Sequence, residues 1–233
     1  CLVGSEMCIR DRSYHFDDAA DGYDTRNITI EREQGGKKKE FTMELYGQPQ
    51  YGWIVMTDDG HPYLYTEIQS ENDWRTMEVF DLKGEEIRHV GTSNDSPHDA
   101  LLNDPDGFYL TRRVDALGTY DAYRKFHVGE SGMPVAENDV YTKVNVCDSK
   151  EDEAVLVSTR ELPVTMMEAD GSEKEEKLPV GTKYYVRATD LENFVDMELS
   201  DGRRCRLAVK KSDKGWGFEI DGVYEEDCFE FIP

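Results

Sequence analysis

Hydrophobic and polar residues alternate one by one along most of the chain. Ile28 and Ile30 are separated by a polar residue, and after a turn at 34–36 Phe41, Met43 and Leu45 again occupy every second position. Alternation with period two is typical of a half-buried β-strand. Such segments recur about every ten to twelve residues between Gly-, Asp- and Asn-rich turns, the spacing of an antiparallel meander. The pattern predicts an all-β fold, with an antiparallel β-meander over residues 13–135.

The pattern changes after residue 135. Turn-forming and charged residues cluster in 136–153, which we interpret as a linker, and short alternating segments resume at 154. Segments 194–199 and 203–209 flank Asp201-Gly202, a pair that favours a tight hairpin turn, so we expect them to pair. Because closure removes exposed strand edges, the short strands of 154–233 favour a small closed β-barrel.

The C-terminal segment carries turns that resemble those of bacterial Src-homology-3-like (SH3-like) barrels. Leu178-Pro179-Val180-Gly181-Thr182 precedes one strand, and the next strand ends at Asp201-Gly202-Arg203. The resemblance covers 154–233 and implies a module that binds cell-wall material. Residues 51–128 are similar to domains of cell-surface or lipoprotein-type proteins of Gram-positive anaerobes, and Asp59-Gly60 and 79–84 are similar to turns of terminal β-propeller blades. These resemblances imply an extracellular or cell-surface location.

The first twelve residues are a different kind of sequence. CLVGSEMCIRDR resembles the translation of a transposon-end sequencing adapter. Segments of this origin are set aside before the fold is considered. The resemblance implies that genuine sequence starts near Ser13, that the meander domain is truncated at its N-terminus, and that Cys1 and Cys8 are not cysteines of the protein. We expect Leu2, Val3 and Ile9 to contribute nothing to a core.

The net charge of the chain argues against one class of partner. The chain has 50 acidic and 27 basic residues, a net charge of −23. A field of this sign repels nucleic-acid phosphates, so we expect no nucleic-acid partner. With 38% hydrophobic and 11% aromatic residues the chain can form a core and is not a disordered acidic tail. No apolar run approaches the roughly 20 residues of a membrane span, so we expect none in this chain.

Three cysteines remain: Cys147, Cys205 and Cys228. They form no Cys-x-x-Cys pair, and no histidine stands at ligand spacing to any of them, so no zinc site is expected. Cys205 and Cys228 fall in the same C-terminal segment and could form a disulfide. Buried free thiols are the interpretation that we favour.

Motifs for catalysis or metal binding are weak. Asp17–Gly22 has part of a calcium-loop pattern but lacks oxygen ligands at the third and twelfth positions, so an exposed acidic loop is favoured. Surface or packing positions are favoured for the histidines, which form neither His-x-His nor His-Glu-x-x-His: His15, His61, His89, His98 and His127. The carboxylate pairs Asp58/Asp59 and Glu85/Glu86 lie in predicted turns. We therefore expect no cofactor, no metal and no enzymatic activity.

Aromatic residues on neighbouring predicted strands are the feature with binding character. Rings on a solvated sheet face offer contact area at low entropic cost, whereas rings that pack across strands belong to the core. Packing is the favoured interpretation of most of the cluster, and the candidate ligand-binding residues are Trp53, Tyr63, Tyr65 and Trp74. The sequence favours a non-catalytic extracytoplasmic module that binds a cell-wall, glycan or protein ligand. An accessory C-terminal region of a secreted enzyme, with its catalytic domain upstream, is the alternative.

Overall fold

The computed structural model describes residues 12–16, 25–34, 36–57, 59–97, 107–145, 153–213, 215 and 217–232. Strands account for 62% of the chain and helices for 3%, and the sheets are antiparallel, which confirms the predicted all-β class. Two short 3-10 turns, Glu71–Asp73 and Glu225–Asp227, are the helical elements of the described residues. Neither has the length that crossing a bilayer requires, and no described helix qualifies as a membrane span.

The described residues divide into two compact units. The first contains those up to Arg112 together with Lys125–Glu137, and the second contains Arg113–Arg124 and those from Asn138 onward. The sequence pattern predicts a different division, with a meander over 13–135 and a linker over 136–153. Part of that linker, Tyr141–Lys143, is a strand of the second unit. Its pairing partners are distant in the chain, so local turn chemistry does not indicate it.

The first unit contains two complete antiparallel sheets and a set of strands beside them. The first sheet has the order β1-β2-β3, and the second has the order β4-β5-β6-β7. Strand β8 pairs with β9, and β9 pairs with β10; residues 108–112 of β8 and 125–128 of β9 belong to the first unit, and the other residues of these two strands belong to the second. The strands are β1 (Arg12–Phe16), β2 (Thr25–Gln34), β3 (Lys37–Tyr46), β4 (Gln48–Met56), β5 (Pro62–Gln69), β6 (Arg75–Asp81), β7 (Arg88–Ser93), β8 (Phe108–Val114), β9 (Tyr120–Val128) and β10 (Pro134–Ala136).

The second sheet is buried on both faces. Successive side chains of a strand point to opposite faces. On one face Leu64 and Phe80 pack with Ile28 and Ile30 of β2, and on the other face Tyr65 packs with residues of β8 and β9. Every residue of β5 except Gln69 is buried. This sheet is therefore a middle layer, and its aromatic residues cannot form an open face.

The second unit is built on one antiparallel sheet with a small additional sheet. The main path is β11-β15-β16-β17-β13-β14, with β12 between β15 and β21, and β18-β19-β20 form the small sheet. The strands are β11 (Tyr141–Lys143), β12 (Val155–Ser158), β13 (Leu162–Met167), β14 (Glu173–Leu178), β15 (Lys183–Thr189), β16 (Phe194–Leu199), β17 (Arg204–Ala208), β18 (Lys210–Lys211), β19 (Phe218–Ile220), β20 (Val223–Tyr224) and β21 (Phe229–Ile232).

The predicted hairpin over 194–209 is confirmed. Strands β16 and β17 pair from Phe194 opposite Ala208 to Glu198 opposite Arg204. Leu199 is 3% exposed and Leu207 is fully buried, and Phe218 and Ile220 lie in the same core. The alternating side chains thus select the face that packs inward. The expected closed barrel is not found, because the strand pairing recorded for the described residues is an open path that ends at β14 and β21.

The two described cysteines of the second unit are reduced. Cys205 and Cys228 are both buried and both free, which confirms the favoured interpretation and excludes a disulfide between them in this structure. Burial raises the pKa of the Cys205 thiol to about 12, and burial also raises that of Cys228. Both side chains are protonated near neutral pH and behave as small apolar core residues. Cys147 lies outside the described residues.

Candidate functional site

A tight turn between β4 and β5 forms the first wall of the candidate site. The Thr57 backbone N–H donates to the His61 carbonyl at 3.0 Å, and the Gly60 N–H donates to the Thr57 carbonyl at 2.8 Å. Gly60 has a φ of +77°, which a glycine adopts without steric cost. The Thr57 hydroxyl accepts the His61 N–H at 3.0 Å and donates to the Asp59 carboxylate. These bonds fix His61 at the start of β5.

The His61 ring is oriented by a buried carboxylate. Its Nε2 lies 2.7 Å from Oδ1 of Asp81, at the end of β6. The Arg88 guanidinium donates to the other Asp81 oxygen at 2.6 Å, and the Lys83 backbone N–H donates to Oδ1 at 2.9 Å. Burial raises the pKa of Asp81, but these donors and His61 outweigh it and lower the pKa to about 2. Asp81 is therefore ionised near neutral pH and can only accept hydrogen bonds.

Tyr63 forms the floor next to His61. The two rings are stacked, with centroids 4.4 Å apart and planes 6° from parallel. Burial raises the pKa of the Tyr63 phenol, and the charges of Asp81 and Asp59 add to the effect. The phenol is consequently a neutral hydroxyl, which both donates and accepts hydrogen bonds.

The second wall is the turn that follows β9. The Gly129 N–H donates to the Met133 carbonyl and the Gly132 N–H donates to the Gly129 carbonyl, both at 2.9 Å. Gly132 has a φ of +91° and lies directly against the Tyr63 ring. The Tyr65 hydroxyl donates to the Gly132 carbonyl at 2.8 Å. This backbone contact is possible because residue 132 has no side chain.

An open pocket of about 340 Å³ lies between these two turns, all within the first unit. Its size falls at the lower end of the range for small-molecule sites, roughly 300–1,000 Å³. Asp59 and Glu130 are exposed at its rim, and the Lys83 ammonium lies 3.4 Å from Asp59. The lining residues are Thr57, Asp59, His61, Tyr63, Val128, Gly129 and Glu130. The pocket offers carboxylate acceptors, an imidazole and two hydroxyls beside a stacked pair of rings.

A second histidine–carboxylate pair lies on the same sheet but does not line the pocket. Nε2 of His89 lies 2.7 Å from Oε2 of Glu78, and the Thr92 hydroxyl donates to the same oxygen at 2.8 Å. Glu78 is buried, and the His89 ring contacts Phe80 in the core. This pair satisfies a buried carboxylate and provides a matched comparison for His61.

The structure does not bring the four predicted aromatic site residues together on an open face. Tyr65 is fully buried and belongs to the core, and Tyr63 is 4% exposed, with its ring at the pocket. Trp53 lies opposite Tyr65 in the register and is half-buried, with its ring centroid 5.8 Å from that of Tyr51. Trp74 is exposed, after the 3-10 turn between β5 and β6. Tyr63 and Tyr65 thus follow the favoured packing interpretation rather than the alternative of one open aromatic face, because residues of β8 and β9 cover the face that carries both tyrosines.

The remaining candidate residues are in part outside the described residues. No group of His, Cys, Asp and Glu among the described residues is arranged to hold a metal ion. The acidic segment Asp17–Gly22, Asp58 and His98 lie outside those residues, as do Leu2, Val3 and Ile9. Glu85 and Glu86 are exposed in the turn between β6 and β7.

Sequence reasoning missed His61, Asp59 and Glu130 as parts of one site. His61 immediately precedes β5 and lies two positions before Tyr63, so their common face is predictable from the alternation of the extended chain. Asp81 and Glu130 reach the site through the pairing of β5 with β6 and the turn after β9, which local pattern does not reveal. Comparison with family models, with curated proteins and with solved structures found no match to this chain.

Proposed function

We propose that this chain is a non-catalytic binding module and that the pocket of the first unit takes a hydroxyl-rich glycan, such as a cell-wall polysaccharide. The observation that carries the proposal is the pocket between Thr57–His61 and Gly129–Met133. Sugar hydroxyls both donate and accept hydrogen bonds, and a glycan site therefore presents both kinds of partner. Asp59 and Glu130 supply acceptors, while Tyr63 supplies a hydroxyl that donates.

The organisation of the pocket supports binding rather than catalysis. A histidine held by a buried carboxylate is also the arrangement of a general base that activates a nucleophile. The Thr57 hydroxyl, which lines the pocket, bonds to Asp59 and to the His61 backbone, whereas the His61 imidazole bonds to Asp81. His61 and Thr57 are therefore arranged as two separate hydrogen-bonding groups for a ligand.

The location proposed for this activity is the cell surface. The acidic composition suits a soluble surface protein and disfavours binding to nucleic acid. The resemblance of 154–233 to SH3-like modules favours cell-wall material as the source of the glycan. The proposal does not depend on that resemblance, because the pocket belongs to the first unit.

Binding to insoluble glycans tests the proposal. The chain is sedimented with purified peptidoglycan, chitin, cellulose and xylan, and the bound fraction is measured against protein concentration. We expect binding to at least one of them. Replacing both rim carboxylates, Asp59→Asn with Glu130→Gln, should weaken it about tenfold, because two hydrogen-bond acceptors lose their charge.

A second double variant controls for the change in net charge. Glu40→Gln with Glu44→Gln removes the same two charges from exposed positions of β3, away from the pocket, and should bind as the unchanged chain does. Equal binding by the pocket variant and the control would refute the pocket as the site. Turnover of any of these glycans by rigorously purified protein would refute a non-catalytic function.

A further inference from the structure

His61 differs from the other pocket residues because its hydrogen-bonding role is fixed by the fold. Its Nε2 faces the Asp81 carboxylate, which is ionised and therefore accepts a proton donor. A neutral imidazole carries its proton on one nitrogen only. The proton of His61 consequently lies on Nε2, and the lone pair lies on Nδ1.

The Nδ1 atom is available to a ligand. It forms no hydrogen bond with any of the described residues, and it is not among their buried polar atoms that lack a partner. The His61 side chain is 20% exposed, whereas that of Asp81 is 8% exposed. Since the ring lines the pocket, Nδ1 is the atom that the pocket offers.

We infer that His61 is the specificity-determining acceptor of the pocket: its Nδ1 accepts a hydrogen bond from a ligand hydroxyl. This inference rests on the proposed glycan-binding function. A side chain without an acceptor at this position would leave the proton of that ligand hydroxyl without a partner, which costs a hydrogen bond.

The groups around His61 leave Nδ1 as the side of the ring that a ligand can reach. Asp81 on β6 contacts Nε2, and the backbone N–H of Lys83 and the guanidinium of Arg88 on β7 hold that carboxylate in place. Asp59 and Tyr63 flank the ring along its own segment, and Glu130 lies on the opposite turn.

The first test is independent of any ligand. Long-range ¹H–¹⁵N spectra of the imidazoles, with the His61 signals identified by their loss in His61→Gln, report which nitrogen carries the proton. We expect the proton of the neutral ring on Nε2. An Nδ1–H form would overturn the inference whatever the chain binds.

The second test uses two isosteric variants in the sedimentation assay. His61→Asn places an amide oxygen near the position of Nδ1, whereas His61→Gln places its amide near Nε2 and leaves the pocket side without an acceptor. We expect His61→Asn to bind as the unchanged chain does, and His61→Gln to bind about tenfold more weakly.

The matched control is His89→Gln, which changes the other histidine–carboxylate pair of the sheet and should bind as the unchanged chain does. Equal glycan binding by His61→Gln and the unchanged chain would overturn the role of His61 and leave the proposed function standing. Absence of binding to every glycan by the unchanged chain would overturn both.

Discussion

At the scale of single residues, Asp81 organises the candidate site. It lies on the buried face of β6, where an uncompensated carboxylate would be costly, and it is held by three donors from separate segments. The same three contacts keep it ionised and fix the orientation of His61. Stability and the proposed recognition therefore depend on one side chain.

This dependence predicts a pH-dependent contribution to stability. The pKa of Asp81 is lowered to about 2, below the value of about 3.9 for an unfolded chain. Its contribution is thus fully present above about pH 4 and is lost as the pH falls towards 2. Because the Arg88 side chain is 72% exposed, screening limits the contribution to about 1–2 kcal/mol. The free energy of unfolding from urea titrations should be lower by this amount in Asp81→Asn at pH 7.

The difference between Asp81→Asn and the unchanged chain should shrink steadily between about pH 4 and 2. Arg88→Met offers a second variant, since it removes one donor and leaves the carboxylate. It should show a smaller loss at neutral pH. A difference that stays constant down to about pH 2 would contradict the assignment of Asp81 as an ionised, hydrogen-bonded group.

At the scale of elements, short turns decide where the pocket lies. The turn Gly129–Met133 contacts β5 through the backbone carbonyl of Gly132, which accepts a hydrogen bond from the Tyr65 hydroxyl. The sequence pattern ends the meander at residue 135, close to this turn, and does not reveal its contacts. The turn at Thr57–Gly60 is predicted correctly, because Asp59-Gly60 between two alternating segments is a strong hairpin signal.

Gly132→Ala should destabilise the first unit strongly. A Cβ at this position would overlap the Tyr63 ring, and the φ of +91° is unfavourable for an L residue. The two effects together should lower the free energy of unfolding by about 2–5 kcal/mol. Circular dichroism during urea denaturation measures this.

Gly36→Ala is the matched control for this prediction. It lies in the same unit with a φ of +74°, and nothing lies within 4 Å of its added Cβ. This substitution should lower the free energy of unfolding by about 1–2 kcal/mol, from backbone strain alone. Equal losses in the two variants would mean that the contact with Tyr63 adds nothing to the stability of the turn.

At the scale of the whole molecule, charge acts against compactness. The net charge of −23 is spread over 233 residues, and self-repulsion of this kind destabilises a folded chain. Local ion pairs offset part of it, among them Arg187 with Glu153 and Glu198, and Arg206 with Asp196. The electrostatic potential around the molecule nevertheless remains strongly negative.

Salt should therefore stabilise the protein. Raising NaCl from about 0.01 M to about 0.5 M shortens the Debye length from about 30 Å to a few ångströms and screens the repulsion. The thermal midpoint, measured by circular dichroism, should rise by several degrees. If the thermal midpoint rises equally when KCl replaces NaCl, screening is the cause. A midpoint that falls with salt would show that the local ion pairs outweigh the net charge.

The sequence by itself determined the strand class, the hairpins and the packed face of each strand. Alternation with period two sets which side chains of β16 and β17 point inward, and Asp-Gly pairs set where the chain reverses, because both are local properties of the backbone. The same local information did not decide whether the aromatic residues are buried or exposed. The alternation around Tyr65 is the same whether its face of the sheet is covered or open to solvent.

The tertiary structure decided which faces are covered and which distant groups meet. The face that carries Tyr63 and Tyr65 is buried because β8 and β9 pack on it. His61 meets Asp81 because β5 pairs with β6, and it faces Glu130 across the pocket because the turn after β9 is docked on Tyr63. These contacts join segments up to about 70 residues apart, and their stability depends on packing between sheets, which a pattern along one strand does not contain.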